Sequence, residues 1–265
     1  APSLHGAQCA PLLPLSMTAL HLLWHDAHLV AVYKPPGWLV HRTGLDAGET
    51  RFVVQTLRDQ LGQHVYPVHR LDKGTCGVLV MALHPQAAHA LAQAFEHHKV
   101  RKRYLALVRG WAPALAEVDH ALRPDDAPPD TAAQPAHTCL QRLARLELPM
   151  ASDARFASTR ASLVLVEPTT GRRHQIRRHL KHLAHPILGD ATHGKGPLNR
   201  WWAAHLGRQR LWLHAWSLEL PHPVSGEPLQ LHSGLDLGAA APAMPEPDGL
   251  DDWHMLLRSQ PWMPT

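Results

Sequence analysis

Apolar and polar residues alternate in several short runs along this chain, and only a few stretches place apolar residues at helical spacing. Residues 20–24 and 29–33 read as two short strands joined by a turn at Asp26-Ala27-His28. Residues 140–148 and 160–166 alternate as neighbours in one antiparallel sheet would. Strands are also expected at 104–108, at 211–220, and at 229–231 after a turn-rich segment. The spacing changes at 85–98, where Ala88, Leu91, Ala92 and Phe95 fall on one helical face and Pro85 suits a first-turn position. Thr50 is the expected N-cap of a helix running to Leu61 and closed by Gly62. Further helices are expected at about 172–183, at 198–206 and at 250–257. Strands outnumber helices and nothing repeats at a fixed period, so the pattern points to an α+β chain.

Composition narrows this only a little. Apolar residues make up 45% of the 265 positions and charged residues 18%, which fits a globular chain with a sizeable core. The net charge of +4 says less than its distribution. No acidic residue falls between Glu167 and Asp190, a stretch holding Arg172, Arg173, Arg177, Arg178 and Lys181. Lys99, Arg101, Lys102, Arg103 and Arg109 form a second basic group, while acids gather at Asp125, Asp126 and Asp130 and in the tail at Glu246, Asp248, Asp251 and Asp252. Such clustering is the footprint of a nucleic-acid partner, although charge alone also fits a solvated basic face. Cys9, Cys76 and Cys139 are too few and too scattered for a disulfide framework or a zinc site, which fits a reducing, cytoplasmic setting. The apolar run at 12–23 is too short and broken to span a membrane.

The candidate chemistry sits in Val68-His69-Arg70-Leu71-Asp72-Lys73-Gly74-Thr75-Cys76-Gly77, a loop between two strand-like runs. One carboxylate, Asp72, lies among cations, which favour the ionised form that acts as nucleophile or base. The glycines permit tight turning and close approach of a ligand.

The run from His69 to Gly77 resembles the H-R-L-D-x-x-T-S-G signature of the RluA-type pseudouridine synthases, with Cys76 where the family usually has serine. Further family elements follow in order. Lys34-Pro35-Pro36-Gly37 with His41 resembles K-P-x-G…H, and Lys102-Arg103-Tyr104-Leu105-Ala106-Leu107-Val108 resembles K-x-Y-L-A-L-V. Thr170-Gly171-Arg172-Arg173-His174-Gln175-Ile176-Arg177 resembles T-G-R-x-H-Q-I-R, and His185-Pro186-Ile187-Leu188-Gly189-Asp190 resembles H-P-I-x-G-D. Leu213-His214-Ala215 and His222-Pro223 complete the set. The run from Gly171 to Leu180 and that from Gly189 to Gly194 are most similar to the subgroup that modifies uridine 65 in the T-stem of tRNA. A 23S rRNA uridine or another tRNA position is the alternative target, and a non-catalytic RNA-binding protein the alternative of another class.

The resemblance implies a pseudouridine synthase catalytic fold: a curved, mainly antiparallel mixed sheet flanked by helices and loops, with the active-site cleft across it. It places that domain at residues 18–235, after a loose arm at 1–17 that is too short for an extra N-terminal S4 module, and before a tail at 236–265 with one short helix. It implies Asp72 as nucleophile, Arg177 as the buried cation that pairs with it, and Tyr104 as the ring that stacks on uracil and takes part in proton traffic at C5. Arg70 would replace the flipped base, with His69, Lys102, Arg172, Arg173, His174, Arg178 and Lys181 also contacting RNA. Asp190 and His214 are expected to hold loops. A carboxylate nucleophile that adds and leaves again needs no metal or other cofactor. The 23 histidines raise a metal-binding reading, yet no H-E-x-x-H occurs, and His174, His179, His182 and His185 also suit a polar face turned toward RNA. The expected partner is tRNA or rRNA, met by a monomer without a membrane or protein partner.

Overall fold

The computed structural model describes residues 19–42, 48–125, 127–128, 130–237 and 249–264. The expected arm at 1–17 lies outside the described residues, as do Cys9, Asp126, Glu246 and Asp248. In chain order the elements begin with β1 (Leu22–His25), β2 (Leu29–Lys34), α1 (Val53–Leu61), β3 (Tyr66–Pro67), β4 (Cys76–Ala82) and α2 (Pro85–Glu96). Then come β5 (Arg101–Arg109), β6 (Leu115–Asp119), β7 (His137–Leu148), β8 (Thr159–Pro168), α3 (Gln175–His182) and α4 (Gly196–Leu206). The last are β9 (Leu213–Pro221), β10 (Pro228–His232), α5 (Leu250–Ser259) and β11 (Met263–Pro264).

All strands join one mixed sheet of eleven, ordered β1-β2-β4-β9-β5-β8-β7-β11, with β10 on β9, β3 on β4 and β6 on β7. Every pairing is antiparallel except β4 with β9, where Cys76 faces His214 and Gly77 faces Ala215. The alternation of β2 and β4 explains the two helices beside them. Val30, Val32, Leu79 and Met81 point one way and pack with Val53 and Leu57 of α1. Leu29, Ala31, Val78 and Val80 point the other way and pack with Ala87 and Leu91 of α2. Each fully buried Val, Leu or Met here contributes about 1.5–3 kcal/mol, which makes this strand pair a rigid support for the loop that enters β4.

Several boundaries differ from expectation. Thr50 does not cap α1. The helix starts at Val53 after an extended Phe52 with no side-chain cap, because the backbone of the 39–40 segment supplies the acceptors: Val53 N donates to Leu39 O at 2.9 Å and Val54 N to Val40 O at 3.0 Å. Gly62 does close the helix in a left-handed conformation. The α3 helix starts at Gln175 and not at Arg172, since the Gln175 side chain accepts the Arg172 N–H at 2.9 Å and holds the preceding residues as a turn. Two short strands, β6 and β11, have no counterpart in the pattern. The expected tail helix, α5, packs into the main core: Trp253 and Leu256 are fully buried there, with the Trp253 ring 5.4 Å from that of Trp212.

The parallel junction depends on Gly77. Its φ is +110°, and a Cβ there would meet the Ala215 carbonyl oxygen at 2.2 Å. Gly77→Ala should therefore lower the unfolding free energy by about 3 kcal/mol or more, combining backbone strain with a clash against backbone. Urea denaturation measures this; a midpoint equal to that of the wild type would show that β4 and β9 tolerate separation.

Candidate active site

The Asp72 loop between β3 and β4 is held from beneath by main chain. Lys34 is fully buried and its ammonium donates to three carbonyls, Trp38 O at 2.7 Å, Pro35 O at 3.0 Å and Lys73 O at 3.1 Å. Burial brings its pKa down to about 7 against the opposing pull of Cys76 and Asp72. Three acceptors for three N–H bonds match the charged form. Gly37 N also donates to Lys73 O at 2.8 Å, so the Lys34-Pro35-Pro36-Gly37 turn clasps the residue after Asp72. A turn bond from Thr75 N to Asp72 O, 3.1 Å long, closes the loop.

Arg177, on α3, reaches across to this loop. Its Nη1 donates to Asp72 Oδ2 at 3.0 Å, while Nε and Nη2 each donate to Asp190 at 2.8 Å in a two-pronged pair. Asp190 is completely buried and also accepts the backbone N–H groups of Thr192 and His193, each at 2.9 Å. Burial pushes the Asp190 carboxyl up, but Arg177 and these N–H groups outweigh it and hold it below the usual carboxylate range. Asn199 anchors the same loop through Gly189 N and Asp190 O. The guanidinium is thus fixed on one side by a carboxylate with no solvent access and offers one N–H to Asp72, which is about a quarter exposed. The expected pairing of Asp72 with Arg177 is present, and the second carboxylate behind it is the partner that sequence reasoning assigned only to holding loops.

Two adjoining hollows of about 660 and 620 Å³ flank this pair, and Arg70, Asp72, Arg173, His174 and Arg177 line both. Tyr104 lines the first. Opposite Arg103 and Tyr104 the register shifts, leaving Trp216 as an extra residue in β9, a bulge of the kind that changes the local twist beside a site. Burial and the Asp72 charge push the Tyr104 phenol well up, so it is a neutral hydroxyl at physiological pH. Lys102 stands in the same hollow, donating to Thr170 O at 2.8 Å, with its pKa brought down by burial to about 8.

The other expected RNA contacts fall into groups. Arg70 and Arg173 are exposed at the rim, and Arg172 is exposed too while donating to Pro135 O at 3.2 Å. His69 lines the first hollow, but its Nε2 accepts the Val80 N–H at 2.9 Å and its ring stacks on Phe95. Burial, helped by Lys102, takes its pKa down to about 3, so it presents an uncharged ring. His174, at a left-handed φ of 53°, puts Nε2 3.8 Å from Asp72 and Nδ1 3.3 Å from Asp125; burial, countered in part by Asp72, keeps it below the usual histidine range. Arg178 turns toward Arg123 O and Asp125, and exposed Lys181 lies outside both hollows, so these two are set apart from the rest. Gln175 was not singled out from the sequence. It ties Thr170, Arg172, His137 and Thr138 together, and its only signal was its place in the motif. Among the described residues no group of three or more histidine, cysteine or acidic side chains has the arrangement to hold a metal ion, and no helix is long and apolar enough to cross a membrane.

A carboxylate fixed by a buried arginine in a basic hollow, with an aromatic hydroxyl beside it, has the chemistry to present a reactive carboxylate to an anionic ligand. Comparison with known proteins gives this site its class. The sequence model of the family described as RNA pseudouridylate synthase matches residues 28–182, and the chain belongs to that family. Among its relatives, tRNA pseudouridine synthase C of Vibrio cholerae is 48% identical over 224 residues, covering 82% of this chain and 91% of the relative. The protein of the same name from Haemophilus ducreyi is 43% identical over 249 residues, covering 92% and 96%. The solved structure of human RNA Pseudouridylate Synthase Domain Containing 1 superposes with a TM-score of 0.64 at 25% identity, covering 94% of this chain and 99% of that one.

Replacing Asp190 by asparagine leaves Arg177 buried with one carboxylate in place of two. Losing one partner of a buried pair costs about 3–5 kcal/mol, so Asp190→Asn should be destabilised by roughly that amount near neutral pH. The sign of the pH dependence follows from the lowered carboxyl: its contribution is fully present above the unfolded value of about 3.9 and is lost as pH falls below it. The gap between wild type and variant should therefore be constant at neutral pH and shrink in acid. Denaturant titrations at several pH values measure the gap, and one that widens in acid would refute the assignment.

Proposed function

We propose that this chain, as a pseudouridine synthase, acts on tRNA, at uridine 65 of the T-stem, with Asp72 as its nucleophile. The observation that carries the reading is the Asp72 carboxylate held at 3.0 Å by Arg177, itself gripped by buried Asp190, in the floor of a basic hollow. The tRNA target is supported by relatives that carry the name tRNA pseudouridine synthase C and align over most of both chains. A 23S rRNA uridine is the alternative target. Asp72, Tyr104, Arg177 and Asp190 form the site within one chain, and the reading takes that chain as a monomer acting in the cytoplasm.

The reaction breaks the N-glycosidic bond of a uridine, turns the freed uracil, and joins ribose C1′ to C5. The C5 proton is lost and N1 gains one, so the product is an isomer and no redox partner takes part. Asp72 adds to the nucleoside and leaves again, which splits one difficult step into two. Arg177 holds the carboxylate through Oδ2 and balances its charge, leaving Oδ1 without a bond to the guanidinium. Because Tyr104 keeps its proton, it serves as a ring that stacks on uracil and as a hydroxyl that relays the C5 proton, giving up its own as it accepts another. The uridine must leave its helix to reach this floor, at a cost of a few kcal/mol, and Arg70, exposed where the two hollows meet, is placed to fill the vacated stack.

Asp72→Asn should abolish pseudouridine formation while changing tRNA affinity by less than about threefold, since the side chain is isosteric and the rim cations are untouched. Tritium release from 5-labelled uridine in tRNA, alongside filter binding, measures both; turnover near that of the wild type would remove Asp72 from the chemistry. The target is tested separately by mapping pseudouridines in tRNA and rRNA from cells with and without the gene. The expected result is loss at tRNA position 65 alone, and loss confined to rRNA would overturn the choice of substrate.

A further inference from the structure

The far side of the Asp72 loop rests on a buried cluster that the chemistry above does not use. Cys76, the first residue of β4, is fully buried. Arg210 Nη2 donates to its sulfur at 2.9 Å, and His214 Nδ1 lies 3.2 Å from it. His214 Nε2 meets the Ser233 hydroxyl at 2.7 Å, and the tautomer in which that hydroxyl donates to Nε2 turns an Nδ1–H toward the sulfur. Leu213 O stands 3.8 Å from the sulfur, a long contact for a thiol proton. The Tyr33 hydroxyl is also buried and lies against the same sulfur without a well-formed hydrogen bond. A buried sulfur that receives an arginine N–H at 2.9 Å holds negative charge more readily than a free thiol does. Burial pushes the thiol up, but the Arg210 charge and then His214 outweigh it and bring it down to about 5.

Arg210 is fastened at its other nitrogen as well. Nη1 donates to Asp252 Oδ2 at 2.8 Å and to Gly249 O at 2.9 Å, both at the start of α5. Its main chain is equally constrained. A Cβ on Gly189 would come within 1.7 Å of Arg210 O, and one on Gly74 would touch the Leu211 side chain at 3.0 Å. Trp212 N donates to Leu188 O at 3.1 Å. The 210–212 segment therefore lies between the loop that carries Asp72 and the loop that carries Asp190, the two carboxylates that share Arg177.

We propose that Cys76 is a buried thiolate paired with Arg210, and that this pair, continued through Asp252 into α5, is a positioning device that sets the spacing of the Asp72 and Asp190 loops. The inference rests on Asp72 being the nucleophile. It makes α5, which lies beyond the residues matched by the family model, part of the machinery that aims the carboxylate. A serine in place of Cys76 would accept the same N–H groups but bring no charge to the arginine.

The ionisation is read without RNA. The difference in far-ultraviolet thiolate absorbance between wild type and Cys76→Ser isolates this sulfur from Cys9 and Cys139. The difference should persist through neutral pH and fade only in acid, with a midpoint near 5. A difference that emerges only near the free-thiol value of about 8.5 would overturn the ion pair. Positioning is read from turnover on tRNA. Cys76→Ala and Asp252→Asn should each lower kcat about tenfold with KM within about twofold of wild type, and Cys76→Ser should recover part of the loss. Circular dichroism establishes that each variant is folded, and if Cys76→Ala is not, Asp252→Asn at the partly exposed end of the chain carries the comparison. An unchanged kcat in folded Asp252→Asn refutes the positioning role. Because the absorbance needs no substrate, it decides the ion pair even where a wrong choice of RNA silences the turnover assay.

Discussion

One buried guanidinium shared by two carboxylates is the constraint around which this molecule is arranged. An arginine removed from water is expensive unless its charge and its N–H bonds are met with good geometry. Arg177 meets that condition with three short bonds to Asp72 and Asp190, residues on two loops that approach it from opposite sides. Its separation from Asp72 is 105 residues, so the pair exists only when β4, α3 and the segment before α4 have all been assembled. Asp190 takes two of the three bonds and has no exposure, which makes it the fixed end of the arrangement. Asp72, partly open to solvent, is the end left free to react.

The sheet makes this assembly possible by one departure from antiparallel pairing. β4 and β9 run parallel for two residues, and the approach is so close that Gly77 admits no side chain. The chain leading into β9 consequently passes beneath the Asp72 loop and beside Gly189, a second position where a Cβ would strike backbone. Close backbone contact at two glycines fixes the two loops relative to one segment. That rigidity is what a guanidinium held at 2.8–3.0 Å on both sides requires.

Much of this was legible in the sequence, at the level where local chemistry writes a long pattern. The run around Asp72 and the run ending at Arg177 pointed to the same pair that the structure brings together, and the apolar alternation placed β2, β7 and β8 correctly. What stayed hidden depends on partners distant along the chain. Thr50 looked like a helix cap because its residue type suits that place, yet backbone carbonyls near Leu39 satisfy the first N–H groups of α1, which begins at Val53. β6 exposes Leu115, its largest apolar residue, and turns only Ala116 and Val118 inward, so its pattern is too short and too weak to detect. Asp190 read as a loop-holding residue because nothing local reveals that its two oxygens face a guanidinium from another helix. Cys76 and Arg210 are likewise adjacent only because β9 returns parallel to β4.

The charges of the protein divide into two sets with different physics. Arg70, Arg172 and Arg173 are exposed at the rim of the hollows, where their pull on a phosphate backbone is screened over about 10 Å at 0.1 M salt. Arg177, Asp190 and Lys34 are buried and paired within the protein, beyond the reach of counterions. Salt therefore acts on how tightly RNA is drawn to the groove and hardly at all on how Asp72 is aimed once the uridine is seated. The two sets meet at Asp72 itself, whose carboxylate would repel a phosphate backbone. Pairing it with Arg177 offsets that charge in the floor while the rim stays basic, so an anion can approach a site that holds a carboxylate of its own.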